Sequence, residues 1–265
     1  MSDTSRRVCA NRTLLPHDAV PSERHLVVVQ PHLDDAVLSC FALMSAASAL
    51  TVITVFAGIP HSGLLASTYD LRTGSTDPRA RTAARRTEDE TALAMLGARC
   101  VHLDFLDSPY RAFEVSTVDI ATAVLEHLPP TATAIAVPLG LGAHVDHLAV
   151  SGAAVHMWRQ VPQLRRYVFA DYPYAAFRGW PGWVSGQKSS WVAACRSWSR
   201  ELARADREAT KRAFVAELDS AAQERKLQLF HVYESQVAAI EGGASRYVSH
   251  PSRVRFEVYF SNAEA

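Results

Sequence analysis

Five short apolar runs, 26–30 (LVVVQ), 51–56 (TVITVF), 100–104 (CVHLD), 133–138 (TAIAVP) and 166–170 (RYVFA), recur along the chain. Between them lie stretches whose apolar residues fall at helical spacing: 35–48, 79–97, 116–128 and 146–160. Short β-branched runs read as strands covered on both faces, and the 3.6-residue period reads as helix. Few folds accept that alternation. It predicts α/β architecture: a Rossmann-like, mostly parallel sheet with helices on both faces and long loops over the carboxyl ends of the strands. The pattern at 79–97 stops at Gly97, as a helix C-terminus does. A charged amphipathic pattern over 199–230 predicts a further helix, and 253–260 (RVRFEVYF) alternates as a last strand.

Residues 1–24 are polar and predict a flexible N-terminal arm ahead of a single domain over 25–265, long enough for one large core. Two segments break the alternation. Residues 57–80 are rich in Gly, Ser, Thr and Pro, and 171–198 in aromatics and Gly. Loops this long inside a domain are commonly functional. The 27 basic and 27 acidic residues balance, with no long run of either sign, so bulk charge recruits neither nucleic acid nor a membrane surface. No apolar segment approaches the ~20 residues that span a bilayer, and the Arg pair near the N-terminus is followed by no signal-peptide core. Cys9, Cys40, Cys100 and Cys195 share no paired spacing and read as thiols in a reducing compartment. A cytoplasmic protein is expected, and a homo-oligomer stays open.

The chemistry concentrates at two strand ends. Residues 30–40 (QPHLDDAVLSC) place His32, Asp34 and Asp35 just beyond the first core strand, where open α/β sheets bind ligands. His32 and Asp35, at i and i+3 in a turn entering a helix, can converge on one point while Asp34 points elsewhere. One His and one carboxylate are two ligands toward a borderline cation, which still needs a third. The competing reading is an Asp cap on the helix with His32 an ordinary loop residue. Residues 138–148 repeat the arrangement after another strand, with His144, Asp146 and His147. His147, on the first helical turn, is the better-placed third ligand, and His144 is then free to face a substrate. Here the competing reading is two solvated histidines with Asp146 as helix cap.

PHLDD followed by HVDH resembles the PIG-L/LmbE-like family of zinc-dependent N-deacetylases, whose signature pairs a His-Pro-Asp-Asp-Glu turn with a His-x-Asp-His turn. TVFAG at 54–58, RRTEDETALAMLGA at 85–98, DYPY at 171–174 and KLQLFHVYESQV at 226–237 agree in order. The resemblance implies that His32, Asp35 and His147 bind one Zn²⁺ per chain, that Asp34 is the general base, and that His144 is the second catalytic residue. Leu33 and Ala36 stand where the family usually has Pro and Glu. The PHLDDA variant is similar to the branch that deacetylates N-acetylglucosamine on glycopeptide antibiotics, which implies a small-molecule glycoconjugate substrate.

On that resemblance the products are a free amine and acetate. Zinc and His144, protonated, are expected to stabilise the oxyanion, with Asp146 as a possible orienter of His144. All five Trp fall between 158 and 198. Tyr172, Trp180 and Trp183 are candidate sugar-binding rings, against the alternative that they pack on the domain or a partner. Arg85 is a candidate for a substrate hydroxyl or carboxylate, against a salt bridge to Glu88 or a solvated helix face. Other functions share these residues: an amidase opening a larger amide such as a mycothiol S-conjugate, or a non-catalytic sugar-binding protein. A two-metal phosphoester hydrolase would need more carboxylates than the two turns supply.

Overall fold

Seven parallel strands and one antiparallel strand form a single sheet in the order β1-β7-β8-β6-β5-β2-β3-β4. The strands are β1 (Arg12–Pro16), β2 (Leu26–Gln30), β3 (Leu50–Thr54), β4 (Arg99–His102), β5 (Ala134–Pro138), β6 (Arg165–Phe169), β7 (Arg212–Glu217) and β8 (Phe256–Ser261). The odd strand is β8, antiparallel to both of its neighbours. These features come from a computed structural model that describes residues 12–177, 198–241 and 248–262. Each of the five sequence-predicted core strands is present, and β2, β3 and β5 are buried along their whole length.

The helices are α1 (Asp35–Ser39), α2 (Phe41–Ala46), α3 (Thr68–Arg72), α4 (Pro78–Ala94), α5 (Thr117–Glu126), α6 (Val145–Gln160), α7 (Tyr174–Phe177), α8 (Ser199–Arg204), α9 (Ser220–His231), α10 (Glu234–Ile240) and α11 (Pro251–Val254). They cover both sheet faces. Val27 and Val29 of β2 face a core shared with Ile120, Val124, Val150 and Met157 of α5 and α6. Leu26 and Val28 face the other, with Val37, Phe41, Leu93 and Leu229 of α1, α2, α4 and α9. That alternation is the two-residue period of a strand buried on both sides, and each fully buried Val or Leu contributes ~1.5–3 kcal/mol. No described helix is long and apolar enough to cross a membrane.

Four expectations change. Part of the expected N-terminal arm is built into the fold: β1 pairs in parallel with β7, and Val20 and Glu23 are buried. The helix expected over 35–48 is two helices broken at Cys40. The break has a remote cause. Both carboxylate oxygens of Glu257, on β8, accept from the first backbone N–H groups of α2, Phe41 at 3.1 Å and Ala42 at 2.8 Å, and Lys226 Nζ neutralises that carboxylate at 2.6 Å. An anion at a helix N-terminus satisfies its orphan donors. The helix expected over 199–230 is α8, strand β7 and α9, and the loop over 57–80 contains α3, closed by a capping box between Ser67 and Asp70.

Candidate active site

Strand order reverses at β2 and β5: these two pair with each other, yet their following strands lie on opposite sides. A crevice opens at the carboxyl ends of such a pair. The PHLDD turn leaves β2 into it and the HVDH turn leaves β5, so two motifs more than a hundred residues apart become neighbours. The His32 and His147 ring centroids are 5.2 Å apart, and those of His32 and His144 4.9 Å.

Asp35 joins the two turns. Its Oδ2 accepts from the His32 backbone N–H at 2.9 Å and lies 3.5 Å from His32 Nδ1 and 3.4 Å from His147 Nε2. The far nitrogens of both rings are committed to carboxylates: His32 Nε2 to Asp146 Oδ2 at 3.0 Å, and His147 Nδ1 to Asp171 Oδ1 at 2.6 Å. With those nitrogens carrying the ring protons, the two near nitrogens are lone pairs aimed at a third acceptor. Three acceptors converging with no hydrogen between them fit a cation, and a carboxylate behind each histidine is the usual support of a metal-bound imidazole. Burial opposes charge on His32, yet Asp107, Asp146 and Asp35 hold its pKa well above the ordinary imidazole value. Burial likewise opposes charge on His147, and Asp35 and Asp171 raise it. The pocket is built for positive charge here.

Asp34 lines the cleft. Burial and the adjacent Asp35 carboxylate push its carboxyl up to about 7. Asp35 goes the other way: against burial, His147 and His32 hold it at about 2. Arg85 places its charge beside Asp34, and its Nη1 lies 3.8 Å from Asp107 Oδ2. Arg85 does not pair with Glu88, which accepts from the Ser235 backbone and hydroxyl. Its Nε is buried with no hydrogen-bond partner.

His144 caps α6. Its Nδ1 accepts from the Asp146 backbone N–H at 3.3 Å, which leaves the ring proton on Nε2. Burial and the charges of His32 and His147 lower its pKa to about 4. The expected imidazolium is therefore a neutral Nε2–H donor. The Asp146 side chain is fully buried: its Oδ2 is 3.9 Å from His144 Nδ1, and its closer partners are His32, the Ser108 N–H and Arg111. Its carboxylate orients His32, and its backbone N–H holds His144.

The cleft above these residues encloses about 400 Å³. Ser67, Tyr69 and Asp70 line it from the first long loop and Pro173 and Tyr174 from the start of the second, opposite Ala239 and Ile240 of α10. Tyr172 is no part of the lining. It is buried, with its hydroxyl donating to Val248 O at 2.7 Å, and Tyr174 takes the place expected of it. Tyr174 packs over Gly142, where a Cβ would lie 2.3 Å from its Cδ1 and where φ is +86°. Trp180 and Trp183 lie outside the described residues. Sequence reasoning missed Asp107, Asp171 and Gln30 as supports; DYPY, the fragment that holds Asp171, was the one available signal.

Residues 27–158, which include both histidine turns, match the family described as PIG-L, GlcNAc-PI de-N-acetylase. Among solved structures the chain is similar to the A40926 pseudoaglycone deacetylase Dbv21, with 22% identity over 92% of this chain and 100% of that one and a TM-score of 0.69. It is also similar to the zinc-inhibited form of the teicoplanin deacetylase Orf2, with 21% identity over 89% and 97% and a TM-score of 0.64. The deacetylase–teicoplanin complex matches at 21% identity over the same shares, with a TM-score of 0.62. These likenesses establish a shared fold. No curated protein matches the sequence.

Proposed function

We propose that this chain, which belongs to the PIG-L family, is a metal-dependent N-deacetylase acting on an N-acetylglucosaminyl unit of a glycoconjugate such as a glycopeptide metabolite. One observation carries the reading: of two adjacent carboxylates, Asp35 sets Oδ2 within 3.5 Å of a ring nitrogen of both His32 and His147, while Asp34, whose pKa burial raises, lines the cleft. Carboxylates split this way suit a ligand and a proton acceptor. The family description and the fold shared with deacetylases of A40926 pseudoaglycone and teicoplanin support the substrate class. A single Zn²⁺ per chain and a cytoplasmic location are part of the proposal.

His32, Asp35 and His147 would hold the zinc, which when bound supplies a Lewis acid for the amide carbonyl and lowers the pKa of a water toward ~7. Asp34 accepts the proton of the attacking water and returns it to the departing nitrogen, work worth ~10²–10⁴-fold. His144 donates from Nε2 to the carbonyl oxygen as negative charge develops there, without itself being charged. Arg85 offers its free Nε to a substrate hydroxyl, and Tyr174 a ring face to the sugar. The amide C–N bond breaks, giving amine and acetate.

The test is Asp34→Asn, assayed by mass spectrometry on N-acetylglucosaminyl glycopeptides beside the metal content of the same preparation. The variant is expected to keep its zinc while kcat falls by at least ~10²-fold. Near-normal turnover would sink the mechanism, and lost zinc would move Asp34 into the coordination shell.

A further inference from the structure

We propose a second cation site, for a soft or borderline divalent ion such as Zn²⁺ or Cd²⁺, formed by Asp89, Cys100 and His102. Cys100 and His102 are i and i+2 on β4 and therefore share one face of the sheet, and Asp89 meets them from α4. His102 Nε2 lies 3.2 Å from Cys100 Sγ and 2.9 Å from Asp89 Oδ2, and Sγ is 3.9 Å from the same oxygen. Around a tetrahedral zinc, bonds of ~2.0–2.3 Å set donor atoms roughly 3.3–3.6 Å apart, so the observed separations bracket that geometry. A thiol, an imidazole and a carboxylate are three ligands, which leaves a fourth position for water.

Charge is the second observation. Asp89 is completely buried, and besides His102 its hydrogen-bond donors are the neutral groups Gln30, Thr54, Tyr233 and the Cys100 thiol. Among the described residues no Lys or Arg forms an ion pair with it. Glu90 adds further negative charge, 3.7 Å from His102 Nδ1. The basic neighbour of Asp89 is His102 at 2.9 Å, a cation only when protonated; a buried carboxylate facing a neutral imidazole is costly, and a bound cation removes that cost. Glu90 then stands behind His102 as Asp171 stands behind His147. Burial and Asp89 raise the Cys100 thiol to about 12, so the thiol is protonated without the ion, and binding releases its proton to solvent as the S–metal bond forms.

The site lies under the catalytic turn without belonging to it. Asp89 holds Gln30 Nε2, and Gln30 Oε1 accepts from the Ala36 N–H at 2.8 Å, one residue beyond Asp35. A cation there clamps β4, α4 and the start of α1 together.

The experiment is a Cd²⁺ titration of the reduced full-length chain, followed by ultraviolet thiolate-to-cadmium absorption and bound-metal analysis. Wild-type protein should bind two Cd²⁺ and show the thiolate band. Cys100→Ser should lose the band and weaken one site by at least ~10-fold while keeping the other. His102→Gln, which retains the thiol, should also lose that ion, and provides the same comparison if the serine variant fails to fold. His32→Ala should lose the other ion and keep the band, so failure at either site is read separately. A band that survives in Cys100→Ser, or a wild-type chain that binds with no band at all, overturns the proposal.

Discussion

Asp171→Asn tests how the structure prepares His147 for a cation. Asp171 is fully buried at the end of β6 and takes three hydrogen bonds: His147 Nδ1 at 2.6 Å, and the N–H groups of Gly140 and Leu141 at 2.8 and 2.9 Å. Asparagine can accept at only one of the two atoms. Turned to keep both backbone bonds, it presents its NH₂ to His147 Nδ1, which must then accept. The ring proton moves to Nε2, toward Asp35, and the lone pair available to a metal is gone. Turned the other way, it orphans two buried backbone donors at about 1–3 kcal/mol each, so the first orientation prevails. The fold then loses a charge-assisted bond and gains a neutral one, costing about 1–2 kcal/mol of a total near 5–15. Metal affinity should fall by at least ~10–100-fold. Urea denaturation gives the first quantity and competition with a chelator the second. A folded variant that holds its ion as tightly as wild type refutes the tautomer argument. Asp171→Ala orphans all three donors, about 3–9 kcal/mol by the same measure, and should not accumulate as folded protein.

Lys226→Met strands the buried Glu257 carboxylate at the start of α2 and should cost about 3–5 kcal/mol, read from the urea midpoint. Gly142→Ala drives a Cβ into the Tyr174 ring; KM for a glycopeptide substrate should rise in steady-state assays while elemental analysis finds unchanged zinc. Gln30→Leu removes the acceptor of the Ala36 N–H and a donor to Asp89. Unfolding experiments should register a loss of about 2–4 kcal/mol, and turnover should fall with it because the Asp34–Asp35 turn loosens.

The core strands were legible because parallel strands buried on both faces must be nearly continuous apolar runs. β2, β3 and β5 are that and little else. β1 and β7 were not legible, for the converse reason. β1 sits at the sheet edge with Leu14 exposed, and β7 begins with an exposed Arg212 inside a charged stretch that also fits a helix. The break at Cys40 could not be read locally. Its cause, Glu257, is 216 residues beyond Phe41 on β8, and nothing in the FALMSA segment announces a new helix start.

In the site, residue types and spacing were enough to bring His32, Asp34, Asp35, His144 and His147 to one crevice. What spacing could not supply is the identity of each group's partner. Asp146 lies between two histidines in sequence, but a helix aims its carboxylate inward, to His32 and Arg111 across the crevice. The departure at Ala36 follows the same logic. Its side chain is buried in the core between sheet and helix, where a glutamate would need a partner that the apolar neighbours do not offer. Support for the turn comes instead from the last residue of β2: Gln30 holds the Ala36 N–H with Oε1, while its Nε2 is held by Thr54 and Asp89. The amide thus spans strand, turn and α4, and it fixes the backbone from which Asp34 and Asp35 diverge. A residue that reads in sequence as the polar end of an apolar run is, in the fold, what lets the turn dispense with a glutamate.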